Sequence, residues 1–172
     1  AHLCHHTATV EAYEELDGDA FIIIGGYESG VDAAYHLACR NKRVTLIDRA
    51  CPWGHDNSDP SIALSTYSFE RMRDPRFNQH VTLIPDTTVT KVIQTDNGFR
   101  VITADGTALD TRVRPLLAGG FIGGHNMVAN LFEHRKDGFP LLTMHDESTK
   151  VPGLYLCGPA VRHGALIFCF IF

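Results

Sequence analysis

Ala20-Phe21-Ile22-Ile23-Ile24-Gly25-Gly26-Tyr27-Glu28-Ser29-Gly30 is the stretch that decides the fold. Its apolar run, rich in β-branched isoleucine, reads as a strand covered on both faces. A glycine-bearing turn closes it. Working outward, Val31, Ala34, Leu37 and Ala38 recur at helical spacing within Val31 to Lys42, and Arg43 to Asp48 is the next strand. Strand, tight turn, helix and strand in that order make one βαβ unit, and so the start of a parallel sheet.

Such a turn sets free backbone N–H groups at the positive end of a helix dipole, an arrangement that binds a pyrophosphate. Gly25 makes the tight turn and Gly30 lets the helix pack close to the strand; Tyr27 stands where the G-x-G-x-x-G pattern has its second glycine. A Cβ there crowds the phosphate, and Gly26 offsets this by letting the turn shift. Gly25, Gly26, Tyr27, Glu28, Ser29 and Gly30 are the candidate phosphate contacts. Asp48, at the C-terminal end of the second strand, is placed to bond a ribose 2′-hydroxyl. A 2′-phosphate about 4 Å from that carboxylate would be disfavoured by about 4 kcal/mol at an effective dielectric near ~20. Asp48 therefore favours NAD, while Arg49 beside it keeps NADP open.

Further along, Ala50 to Pro60 is loop-like, and a helix is expected from about Ser61 to Met72, ended by Pro75. Val81 to Ile84, Thr88 to Gln94 and Phe99 to Thr103 are three strand-like runs, read as an antiparallel β-meander with turns at Asp96-Asn97-Gly98 and Asp105-Gly106. Pro115 to Gly119 returns as a strand. Met127 to His134 suggests a short helix, and Leu141 to Met144 and Leu154 to Cys157 suggest short strands.

Composition bounds the rest. The chain has 172 residues, 44% hydrophobic and 20% charged, which is globular. Fifteen basic against twenty acidic residues, with no basic run, exclude a nucleic-acid or membrane-surface role. The longest apolar stretch, Ala165 to Phe172, is far short of a membrane span. Five scattered cysteines read as reduced thiols of a cytoplasmic protein. The ten histidines show no metal-ligand spacing, and neither a Gly-x-Ser-x-Gly elbow nor a P-loop occurs. Ala1 as first residue and the bare apolar end suggest a piece of a larger protein.

The segment Ile24 to Ala34 resembles the NAD(P)-binding segment of two-dinucleotide flavoproteins, the pyridine nucleotide-disulfide oxidoreductase fold shared by thioredoxin-reductase-like proteins and flavin-containing monooxygenases. Arg114-Pro115-Leu116-Leu117-Ala118-Gly119-Gly120 is similar to the family strand that leads back to the FAD domain. Val151 to Pro159 is similar to its late FAD motif, with Pro159 where aspartate is common. The resemblance implies an α/β, Rossmann-like three-layer fold with a central parallel sheet, an attached antiparallel meander and part of a second, FAD-type domain. It divides the chain into a connector from a missing FAD-domain half (residues 1–18), an NAD(P)-binding domain (19–120) and the start of the returning FAD portion (121–172). It also adds Ala118, Gly119, Gly120, Gly158 and Pro159 to the cofactor contacts.

The implied activity is hydride transfer from NAD(P)H to FAD and on to a small-molecule or protein acceptor, with the cofactors carrying the chemistry and no protein acid, base or nucleophile assigned. No Cys-x-x-Cys pair is present, which argues against thioredoxin reductase proper. The N-terminal FAD fingerprint is missing, and a homo-oligomer is compatible with the sequence. The alternative is a non-catalytic Rossmann-like module that senses a nucleotide or docks a partner through Ala165 to Phe172.

Overall fold

The computed structural model describes residues 2–50, 52–54, 63–120, 124–158, 160–163 and 166–167. Two units, Ala1–Gly120 and Phe121–Phe172, divide the chain. In chain order the first unit runs β1 (His5–His6), β2 (Ala20–Ile24), α1 (Glu28–Ala38), β3 (Arg43–Ile47), α2 (Thr66–Arg73), α3 (Pro75–His80), β4 (Val81–Ile84), β5 (Val89–Thr95), β6 (Gly98–Thr103), β7 (Ala108–Thr111) and β8 (Leu116–Leu117).

Five strands form a parallel sheet in the order β1-β8-β2-β3-β4. Because side chains alternate along a strand, β2 feeds two cores at once. Phe21 and Ile23 face the helices and pack with Val44, Leu46, Val31, Ala34 and Leu37, each at most 2% exposed. Ile22 points the other way and packs with Ile47 and Val101, flanked by Val89, Val92 and Leu109 of the antiparallel sheet β5-β6-β7. Helices, parallel sheet and meander are therefore three layers, the expected α/β architecture. Burial on both sides explains why β2 carries no polar residue: each such Ile or Phe contributes about 1.5–3 kcal/mol by leaving water.

Several elements differ from the sequence expectation. Val81–Ile84 is not part of the meander; it pairs with β3 as the parallel sheet's edge, and the third meander strand is Ala108–Thr111. A short apolar run looks the same whichever sheet takes it, since the pairing is settled by distant residues. Helix α1 begins at Glu28, inside the expected turn, and ends at Ala38, where Asn41 takes a left-handed φ of 58° and Lys42 N–H bonds back to Leu37 O. Pro75 ends α2 and opens α3 as its first residue, with Asp74 capping by accepting Arg76 N–H. Of the segment before residue 19, His5–His6 joins the sheet beside β8, and Tyr13 and Leu16 pack on the helix-side core.

The second unit is built differently. Where a helix was expected over Met127 to His134, two 3₁₀ turns span Gly124–Leu131 and break at Val128. The expected strands at Leu141 and Leu154 reduce to single bridges, Leu142 with Ser148 and Glu147 with Tyr155. Buried Ser148 organises them: its hydroxyl donates to Leu131 O at 2.8 Å and accepts from Lys150 and Val151 N–H. Two further strands, β9 (Arg162–His163) and β10 (Leu166–Ile167), pair antiparallel within the apolar end region; most of the expected docking strip Ala165 to Phe172 lies outside the described residues. Among the described residues, no helix is long and apolar enough to cross a membrane, and no His, Cys, Asp and Glu cluster could hold a metal.

Candidate functional site

The C-terminal ends of β2, β3 and β8 converge on the glycine turn. Gly25 sits at φ 101°, a left-handed value that glycine adopts freely, and donates its N–H to Ile47 O at 2.8 Å. Ala118 N–H bonds Ile24 O at 2.8 Å, so a Cβ on Gly25 would run into Ala118 O. Gly30, in the first turn of α1, lies against Gly25 O so closely that no side chain fits there. Helix and strand are thereby held at the separation that the glycine pattern anticipates.

The acid is beside the turn. Asp48 Oδ2 accepts Gly26 N–H at 2.6 Å, and Oδ1 accepts Ala50 N–H at 2.7 Å. Its own backbone links the parallel sheet onward, with N–H to Ile84 O at 3.1 Å and C=O accepting Thr87 N–H at 2.9 Å. Asp48 thus fixes the turn directly, and Arg49 next to it is exposed. The indole of Trp53 covers Gly26 and donates its Nε1–H to Gly26 O at 2.8 Å, and a Cβ at position 26 would meet both this ring and Asp48.

The remaining candidates divide. Tyr27 caps α1 without a side-chain capping bond, and its hydroxyl reaches Ala63 O at 2.7 Å instead. Glu28 turns toward the start of α2: its carboxylate accepts Ser65 N–H, Ser65 Oγ–H at 3.0 Å and the hydroxyl of buried Ser68. Ser65 is the N-cap of α2, so one acid serves the N-terminal ends of both helices. Among the described residues, the backbone N–H groups of Glu28 and Ser29 in the first turn of α1 have no hydrogen-bond partner within the helix, as its geometry requires. Gly119 and Gly120 continue beyond Ala118 with open space around Gly120, which has φ 75°. Gly158 belongs to the second unit at φ 82°, and Pro159 lies outside the described residues.

Trp53, Ser65 and Ser68 escape the sequence reading. Ser65 carries a legible signal, a hydroxyl residue just ahead of a helix. Trp53 and Ser68 carry none, because their partners are distant in the chain.

The profile of the family described as pyridine nucleotide-disulphide oxidoreductase matches residues 1–158. The chain belongs to that family. Solved structures agree in fold. A pyridine nucleotide-disulfide family oxidoreductase from Enterococcus faecalis matches with a TM-score of 0.66 at 15% identity, over 94% of this chain and 36% of that one. The HOCl-induced flavoprotein disulfide reductase of Escherichia coli gives 0.63 at 19% identity, over 90% and 34%. Thioredoxin reductase of T. acidophilum gives 0.62 at 17% identity, over 90% and 48%. The chain thus spans a third to a half of these pyridine nucleotide-disulphide oxidoreductase structures. Members of the family bind FAD and NAD(P)H.

Proposed function

We propose that this chain is the NAD(P)H-binding portion, with part of the FAD domain, of a cytoplasmic flavin-dependent oxidoreductase. One observation carries the reading: Gly26 N–H is bonded to Asp48 Oδ2 at 2.6 Å, joining glycine turn and acid at the C-terminal edge of a parallel sheet. That edge, in front of an eleven-residue helix, is where open α/β sheets take ligands.

The residues fit a dinucleotide. Positions 25 and 30 admit no Cβ, the strained turn is glycine where φ demands it, and the first N–H groups of α1 face outward along the helix axis. Those of Glu28 and Ser29 would hold the paired phosphates. The lone pairs that Asp48 keeps beyond its two protein bonds would orient the adenosine ribose, favouring NADH, and Arg49 would accommodate a 2′-phosphate. When bound, the nicotinamide supplies hydride that flavin passes to a small-molecule or protein acceptor. The chain's own residues hold and orient; none is asked to move a proton.

Calorimetric titration with NADH and NADPH tests this. Binding is expected for at least one of them, and Asp48→Ala should weaken NADH more than NADPH. The reverse ranking would remove the ribose role, and no binding of either at millimolar ligand would remove the reading for this chain. Nucleotide binding without hydride transfer in the presence of added FAD would favour the non-catalytic sensing or docking module.

A further inference from the structure

We propose that Trp53 is a positioning residue for the adenosine half of the dinucleotide, and that its indole leaves Gly26 when the nucleotide seats. The proposal rests on the nucleotide-binding reading and deepens it. Glycine is needed in such turns because the phosphates approach the backbone itself. At Gly26 the space that a side chain would fill holds the Trp53 ring, so a phosphate approaching that face of the turn would meet the indole.

A directional bond, Nε1–H to Gly26 O at 2.8 Å, joins ring and turn, and Trp53 is partly buried, its ring packing on the helix-side core from the rim. It rides on the one-turn 3₁₀ segment Pro52–Gly54, a few residues beyond the end of β3 and Asp48. A ring released there stays within reach of the position that Asp48 defines, and an indole face is a sequence-tolerant platform for stacking a base. Trp53 would therefore occlude the turn when the site is empty and cover the adenine when it is filled.

Trp53 is the chain's one tryptophan, so its emission reports the event without a label. The full chain is titrated with ADP-ribose, which carries the adenosine half and lacks the nicotinamide that absorbs in this range. Binding is followed in parallel by calorimetry. Emission and acrylamide quenching should change with the same midpoint as the heat. Trp53→Phe keeps a ring but loses the N–H bond to Gly26, and should bind ADP-ribose about fivefold tighter, the equivalent of one net hydrogen bond. Emission unchanged at saturation, or Trp53→Phe binding no tighter, overturns the proposal and leaves nucleotide binding intact. If neither protein binds ADP-ribose or NADH, the nucleotide reading itself falls; if only Trp53→Phe binds, occlusion by the indole is supported.

Discussion

Glu28 and Ser65 hold each other through two bonds, Ser65 N–H to one carboxylate oxygen at 2.5 Å and Ser65 Oγ–H to the other at 3.0 Å. The pair ties the first turn of α1 to the cap of α2, and it gives the acid inside the glycine turn a structural role. A carboxylate at two helix N-terminal ends is stabilised by both dipoles. Its charge is directed at α2.

Glu28→Ala should therefore be a stability variant before it is a binding variant. The hydroxyl of Ser68, 1% exposed, would lose its acceptor, and α2 would lose part of its cap. An unsatisfied buried hydroxyl and a weakened cap together cost about 1–3 kcal/mol. Thermal unfolding followed by circular dichroism should show a lowered Tm, with Glu28→Gln lying between the two.

Gly30→Ala sets two effects against each other. Alanine in a helix interior is favoured over glycine by about 1 kcal/mol. The new Cβ, however, would collide with Gly25 O, a backbone atom that cannot swing aside, and forced overpacking costs about 1–3 kcal/mol or more. The clash wins. Denaturant titration should give a lower midpoint, and calorimetry should give weaker NAD(P)H binding because the turn is displaced.

Arg71 joins α2 to the outer face of α1. Its guanidinium pairs with Asp32, bonds Tyr67 Oη at 3.0 Å, and lies 4.2 Å over the Tyr67 ring and 5.3 Å over that of Tyr35. Burial pushes its pKa below the usual arginine value, and the nearby Glu28 charge pulls the other way. Arg71→Lys keeps the charge but not the planar fork or the stacking, so it should lose about 1 kcal/mol of stability. A Tm unchanged by the substitution would show that the rings contribute nothing.

Acid should loosen the α2–α3 corner. Hydrogen bonds from Arg76 hold the Asp74 carboxyl down to about 2, below the ordinary value near ~3.9. A folded-state pKa below the unfolded one means the contribution is complete above about pH 4 and is lost as pH falls through about 2. Asp74→Asn retains a capping oxygen without the charge. The stability difference between wild type and Asp74→Asn should shrink between pH 5 and 2, measured by denaturant titration at each pH; a constant difference would remove the charge from the account.

What could be read from residues alone was local. Ala20–Ile24 stands out because a strand covered on both faces is continuously apolar, Arg43–Ile47 and Val81–Ile84 as short runs rich in Val, Ile, Leu and Thr, and Gly25 and Gly30 because backbone crowding leaves no room for a Cβ. What could not be read was pairing at a distance. His5–His6 is a polar dipeptide held in the sheet by backbone bonds, which leave no mark on side-chain pattern. The sheet that receives Val81–Ile84 depends on β3, not on its own residues. At the site, glycines and acid were legible, while Trp53 over Gly26 and Glu28 with Ser65 join positions far apart in the chain and belong to no motif.

The sheet order also bears on how the chain folds during synthesis. Strand β1 has β8 as its sheet neighbour, and β8 separates it from β2, so His5–His6 stays unpaired until Leu116–Leu117 has left the ribosome. Contacts of such long sequence separation form slowly, since a large loop must close before they reward it. Until then Ile23 and Ile24 present an open hydrophobic edge, and a nascent chain arrested before β8 is a natural client for a chaperone.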